Sequence, residues 1–291
     1  MSIGSWDEVK TAYHVARVGT VSGAADALGV HHATVIRHVD ALEARLGLRL
    51  FHRHARGYVA TDAGQDLLRV GQVADDLFSQ LEARLRGQSE DLSGDLVVTT
   101  IDALGKPVLR ALTTLQKQHP GLIVHLRTDP RVFRLEYGEA HVAVRAGPSP
   151  QEPDNVVQRL GHLEMGLFGS RDYLTENAPP EHWEDLDRHH FIGAVDALAR
   201  APFYRWLEHT VPPHAIRQRV QWTEQVVEAI RAGAGLGFLP KNIGENWSDL
   251  IEIFDTRDEW QAPLWLVSHV DLHRSAKVQA ALNALKTHFS P

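Results

Sequence analysis

The sequence predicts an α/β protein in two unequal parts, a small helical unit joined by one long helix to a larger region of alternating strands and helices. Three features carry this prediction. Between residues 5 and 46 helical stretches meet at glycines, the last two across a short turn. Residues 62–87 contain no proline and carry apolar residues at helical steps. From residue 95 onward, β-branched apolar runs alternate with helical segments, the pattern of strand–helix–strand units around a largely parallel sheet.

The first unit is punctuated from its start. Ser5-Trp6-Asp7-Glu8 has the S-x-x-E form of a capping box, and Val9, Ala12, Tyr13, Ala16 and Val18 then recur at near-helical spacing up to Gly19. Ser22 is positioned to cap a short helix over 23–28, Gly29 supplies the turn, and the next helix carries Val35, Val39, Leu42 and Leu46 on one face. Two helices joined in this way form a helix-turn-helix. Residues 48–61, with Phe51, Val59 and a turn at Gly57 flanked by Arg53 and Arg56, predict a two-stranded wing. Along 62–87, Leu67, Val70, Ala74, Leu77, Leu81 and Leu85 alternate steps of three and four, as in a coiled-coil seam. So small a head offers little surface to so long a stripe, and a second copy of the chain is the expected partner. Residues 88–94 are polar, end in Gly94, and read as a hinge.

The second part opens with a strand over 95–101, a helix over 107–119 stopped by Pro120-Gly121, a strand over 122–128, a short helix over 132–137 and a strand over 141–145. The Pro/Gly-rich stretch 147–153 closes that unit. Another starts near residue 164, with strands about 165–169, 191–194, 217–222, 236–239 and 251–254 and helices about 201–209, 224–232 and 241–246. A strand over 264–268 and a helix over 275–289 complete the chain.

Composition narrows the chemistry. The 291 residues include no Cys, which excludes disulfides, a thiolate nucleophile and Cys-ligated zinc. The net charge of −7 argues against nucleic acid only as an average, because residues 1–60 hold seven Lys/Arg and five acids, a net of +2 that leaves −9 for the remainder. Six of the 18 His lie in that basic part. His31 and His32 are adjacent, point to different sides of a helix and lack a partner at ligand spacing, so neither a metal site nor a cofactor is expected. No stretch approaches the ~18 apolar residues of a membrane span, and residues 1–10 lack the apolar run of a secretory signal, so a cytoplasmic protein is expected.

Four blocks carry a family resemblance: Ser22-Gly23-Ala24-Ala25-Asp26-Ala27-Leu28, Leu42-Glu43-Ala44-Arg45-Leu46-Gly47, Leu50-Phe51-His52-Arg53 and Thr61-Asp62-Ala63-Gly64. In order and spacing they resemble the winged helix-turn-helix of LysR-type transcriptional regulators. Residues 160–173 and 226–240 resemble that family's effector domain, two α/β lobes like those of periplasmic solute-binding proteins. The resemblance implies a winged helix-turn-helix DNA-binding domain over 1–61, a dimerising linker helix over 62–88 and an effector-binding domain over 89–291. Lobe I would take 94–160 and 264–291, and lobe II 161–263. It implies a homodimer or homotetramer on a pseudo-palindromic double-stranded DNA operator, modulated by a small-molecule effector and in contact with RNA polymerase.

At the reading end the chain departs from the family, with His31-His32-Ala33-Thr34-Val35-Ile36-Arg37 where Ser-Gln is usual. His32, Thr34 and Arg37 are expected to face DNA, His31 and His38 to lie nearby, and Arg53, His54 and Arg56 to meet phosphates. Arg37 is the expected bidentate contact to guanine. By position, the effector crevice should be lined by Thr100, Asp102 and Ala103 after the first strand and Thr128 and Asp129 after the second, with Trp222, Thr223 and Gln225 opposite and Phe203 closing it. Asp102 and Asp129 would repel a carboxylate, so a neutral, hydroxylated or amine-bearing effector is expected against an apolar Trp222. A further departure is His141, where the family's third strand usually opens with an acid.

Two rivals are weaker. An enzyme would need a motif such as G-x-S-x-G, H-E-x-x-H or a P-loop, and none occurs. Gly233-Ala234-Gly235-Leu236-Gly237 follows a helix and precedes a strand, the reverse of a dinucleotide loop. A solute-binding protein leaves the first 87 residues unexplained.

Overall fold

The computed structural model describes residues 5–54, 57–85, 92–129, 131–195 and 198–289. The head consists of α1 (Trp6–Val18), α2 (Val21–Leu28), α3 (His32–Leu46) and a wing of β1 (Phe51–His54) paired antiparallel with β2 (Gly57–Ala60). Its core gathers the apolar faces read from the sequence: Ala12 and Val15 of α1, Ala24 and Ala25 of α2, and Val35, Val39 and Leu42 of α3.

Two helix starts differ from expectation. Ser5 makes no side-chain capping bond, and Glu8 instead pairs with Arg45 at 2.7 Å. α2 begins at Val21, capped by Thr20, whose Oγ1 accepts from the Gly23 N–H at 3.2 Å, and Ser22 is inside the helix. The wing is held on α1 through Gly19, whose carbonyl accepts from the Tyr58 N–H at 2.8 Å. Gly57 turns there at φ 145, and a Cβ would stand 2.5 Å from that same carbonyl oxygen, so only glycine fits.

The long helix, α4 (Asp62–Leu85), touches both parts of the chain. At Gly71 the Tyr13 ring fills the space of the missing side chain, where a Cβ would lie 2.6 Å from it. One residue on, the buried Gln72 meets His141 of lobe I at 2.7 Å. Arg69 bonds Asp271 at 2.9 Å, and Arg17 of α1 bonds Asp95 at 3.1 Å. Of the predicted seam, Val70, Leu77 and Leu81 are exposed, as is Phe78, which the periodicity had left out. Leu67 instead packs on the head's core. Residues 86–91, most of the expected hinge, lie outside the described residues.

Lobe I begins with β3 (Ser93–Thr100), α5 (Gly105–Gln118), β4 (Gly121–Thr128), β5 (Val142–Ala146) and β6 (Asn155–Leu163). Lobe II follows with β7 (Met165–Ser170), α6 (Arg171–Glu176), β8 (Phe191–Ala194), α7 (Pro202–Thr210), β9 (Ile216–Val220), α8 (Thr223–Arg231), β10 (Leu236–Pro240), α9 (Lys241–Gly244) and β11 (Leu250–Glu252). The chain then returns to lobe I through β12 (Ala262–His269), α10 (Val270–His273) and α11 (Ala276–Phe289). The sheet orders are β4-β3-β5-β12-β6 and β11-β7-β10-β8-β9.

Both sheets are mixed rather than parallel. β12 runs antiparallel to β5 and β6, and β7 antiparallel to β10 and β11. The crossings between lobes cause this, since a strand that enters without a crossover helix arrives in the opposite direction. β6 was not expected from the sequence at all. It lies at the sheet edge with one neighbour, so Gln158 and Arg159 interrupt the apolar run that a central strand would show. The helix expected over 132–137 is only a single turn, Leu135–Tyr137.

Candidate functional sites

The apolar residues of α3 that build the head's core dictate what its other side presents. With Val35, Val39 and Leu42 buried, the exposed stripe holds His32, Ala33, Ile36, Arg37 and Asp40. Arg37 has no ion-pair partner among the described residues, and His31 is exposed at the N-cap. Ala33 and Ile36 were missed by sequence reasoning, although the same periodicity that buries Val35 and Val39 marks them; both are suited to a thymine methyl.

Of three other expected residues, two are tied to groups within the head. Thr34 is half-buried. The Thr11 hydroxyl donates to the Asp7 carbonyl at 2.6 Å, so at 2.9 Å it accepts from Nδ1 of His38, which ties that ring to α1 rather than to the exposed face. Arg53 bonds Asp40 at 2.5 Å and Glu43 at 2.9 Å, and the Asp40 bond first among these raises its affinity for a proton. A guanidinium has five donors, so those not used by the carboxylates remain to meet a phosphate. His54 is exposed on the wing, and Arg56 lies outside the described residues.

Glu43 organises this surface from beneath. It is 4% exposed. One carboxylate oxygen accepts from the Leu50 and Phe51 N–H groups at 2.8 and 3.2 Å, and the other meets Arg49 and Arg53 at 2.9 Å each. Burial alone would raise its pKa, but these four bonds hold it below the ordinary carboxylate value. One side chain thus fixes the wing's pose on the reading helix.

Between the lobes lies a cavity of about 430 Å³, within the usual range for small-molecule sites. Of the expected lining, Asp102, Ala103, Phe203, Trp222 and Thr223 are on its wall. The other four are not. Thr100 is buried in the sheet, and Thr128 is exposed outside the cavity. Asp129 accepts from the Arg131 N–H at 2.8 Å in its own loop, and Gln225 caps α8 by accepting from the Gln221 and Trp222 N–H groups at 3.0 and 3.1 Å. Sequence reasoning missed Leu163, Met165, Tyr204, Arg200, Arg205 and Phe238, which also line it. They come from strands, the single turn Leu198–Arg200 and one helix, none of which a short motif marks.

Two contacts cross the mouth. Asp102 of lobe I accepts from the Thr223 N–H at the start of α8 at 2.7 Å, and Lys106 meets Glu224 at 3.2 Å. The first places a carboxylate at the positive end of a helix. The second is fully in solvent and worth little.

A winged head with an exposed reading helix, on one chain with a two-lobed domain around a cavity, defines a transcription regulator with a ligand-binding domain. Comparison with known proteins gives the family. Residues 6–65 match "Bacterial regulatory helix-turn-helix protein, lysR family", and residues 89–290 match "LysR substrate binding domain". The chain belongs to the LysR-type transcriptional regulators. It is 30% identical over 236 residues to the transcriptional regulator PgrR of Escherichia coli (strain K12), covering 78% of this chain and 77% of PgrR. To the activator IlvY of Salmonella typhimurium it is 26% identical over 250 residues, 82% of this chain and 83% of IlvY. In fold it is similar to ArgP from Mycobacterium tuberculosis, with a TM-score of 0.72 at 17% identity over 97% and 96% of the chains. Full-length CbnR in complex with its target DNA gives 0.58 at 18% identity, over 99% and 100%. Among the described residues no helix is long and apolar enough to cross a membrane, and no three His, Asp or Glu are grouped to hold a metal ion.

Proposed function

We propose that this regulator binds a pseudo-palindromic operator in the cytoplasm as a homotetramer built from α4-paired dimers, and that a small-molecule effector in the inter-lobe cavity changes the spacing of the reading heads. It acts without enzymatic turnover. The observation that carries this is the cavity itself, bridged by Asp102 and Thr223 from opposite lobes, since a ligand that favours one lobe arrangement shifts the population toward it. The test is a DNase footprint of the operator recovered with the purified protein, with and without a ligand that stabilises the effector domain. An unchanged footprint and unchanged transcription would refute it.

The place of Arg37 on the exposed stripe of α3 supports reading it as a contact to a base edge. Arg37→Ala should cost on the order of 1–3 kcal/mol and relax preference at one base pair. A uniform loss over all sequences in a binding-site selection would instead make it a phosphate contact. The exposed apolar face of α4 supports pairing of two chains. Leu77→Glu removes two buried leucines from a symmetric seam, about 3–6 kcal/mol in all. Sedimentation should then show monomers where the parent chain is dimeric or larger.

A further inference from the structure

The charge class of the effector can be read from what already fills the cavity's polar positions. A carboxylate ligand would naturally sit at the N-terminus of α8, a nine-residue helix whose first residue, Thr223, lines the crevice. That end is taken: Thr223 donates its N–H to Asp102 of the opposite lobe at 2.7 Å. A ligand carboxylate would have to displace a covalently tethered one, or lie beside it and be repelled. A cation fares no better. Asp102, the one acid on the cavity wall among the described residues, is already engaged by that N–H, while Arg200 and Arg205 are exposed, so an ion pair of either with an acid is screened by solvent and worth little.

What remains is apolar, with one polar handle. Leu163, Met165, Phe203, Trp222 and Phe238 line the cavity. Tyr204 lines it too, is only 2% exposed, and its hydroxyl makes no hydrogen bond among the described residues. Burial raises its pKa, so the phenol stays neutral and can donate or accept. A hydroxyl on the cavity wall that makes no hydrogen bond among the described residues is a docking point for a ligand oxygen.

We propose that the cavity takes an uncharged, largely apolar molecule of the aryl-alcohol class, its ring among Phe203, Trp222 and Phe238 and its hydroxyl on Tyr204, with Asp102 excluding carboxylates. This rests on reading the cavity as the effector site. Three probes with one body and different charge test it by calorimetry on the full-length protein: 3-phenylpropan-1-ol, 3-phenylpropanoate and 3-phenylpropylamine. The alcohol should bind at least about tenfold more tightly than either charged probe. Tyr204→Phe should weaken the alcohol about three- to tenfold, and Asp102→Asn should narrow the gap between alcohol and acid. Acid or amine binding as tightly as the alcohol overturns the proposal, as does the absence of alcohol binding at millimolar concentration. The parent-chain comparison needs no variant to fold. If the alcohol binds as expected but the operator footprint does not change, the ligand class stands and the sensor reading falls.

Discussion

Glu43→Ala is expected to unseat the wing and abolish operator binding while leaving the effector domain folded. The substitution strands the Leu50 and Phe51 N–H groups and leaves Arg49 and Arg53 without their buried counter-charge. Bonds to a charged acceptor contribute about 1.5–3 kcal/mol each, so loss of the two to the buried amides alone costs the head on the order of 3–6 kcal/mol. That is a large share of what a small domain has. Hydrogen exchange on the full chain should show loss of protection confined to α3 and the wing. Glu43→Gln keeps an oxygen for the two amides and removes only the charge, so it should fall between the two. Protection in Glu43→Ala equal to that of the parent would show that the apolar core alone seats the wing.

Acid should loosen the junction of α4 with lobe I, through His141. The ring is fully buried, accepts from the Val97 N–H at Nδ1 at 2.9 Å, and sets its Nε2 2.7 Å from the side-chain amide of Gln72. Burial, then the charge of Lys277, pushes its pKa from 6.5 down to about 3, against the opposing pull of Asp95. Below pH 6.5 an unfolded chain takes up a proton that the folded one refuses. Stability present above that pH is lost toward pH 3, at up to about 1.4 kcal/mol per pH unit. His14, His189 and His273 are also lowered by burial, so only a difference isolates this ring. His141→Gln should be less stable at pH 7.5 yet lose stability less steeply between pH 6.5 and 4.5, as followed by thermal unfolding. Parallel slopes for the two proteins would place the acid sensitivity elsewhere.

The order of elements was legible wherever local periodicity carries it: the core faces of α1 to α3, the Gly57 turn, and the alternation in both lobes. What could not be read are consequences of long-range pairing. Asp102 and Thr223 are far apart in sequence, and nothing near either residue says that one lobe's carboxylate caps the other lobe's helix. β6 was invisible because an edge strand has one neighbour to satisfy. Tyr204 and Phe238 are not singled out by the sequence, because a cavity wall and a core, to which they also belong, are built from the same side chains. Positions on the reading helix and wing place His38 near the DNA face and Arg53 on phosphates, and no local pattern shows that Thr11 holds the one and Asp40 and Glu43 the other.

The junction of Tyr13 at Gly71 with Gln72 at His141 has a consequence for how a signal travels. Neighbouring residues of one helical turn are gripped by the head on one side and by lobe I on the other. Within a single chain, the head and lobe I thus grip the same turn of one helix, their common axle. A ligand that draws lobe II toward lobe I has no lever on its own head. In the proposed α4-paired dimer it would act by turning one chain's axle against its neighbour's along the apolar seam. A chain locked in the monomeric state should bind its ligand and still be deaf to it.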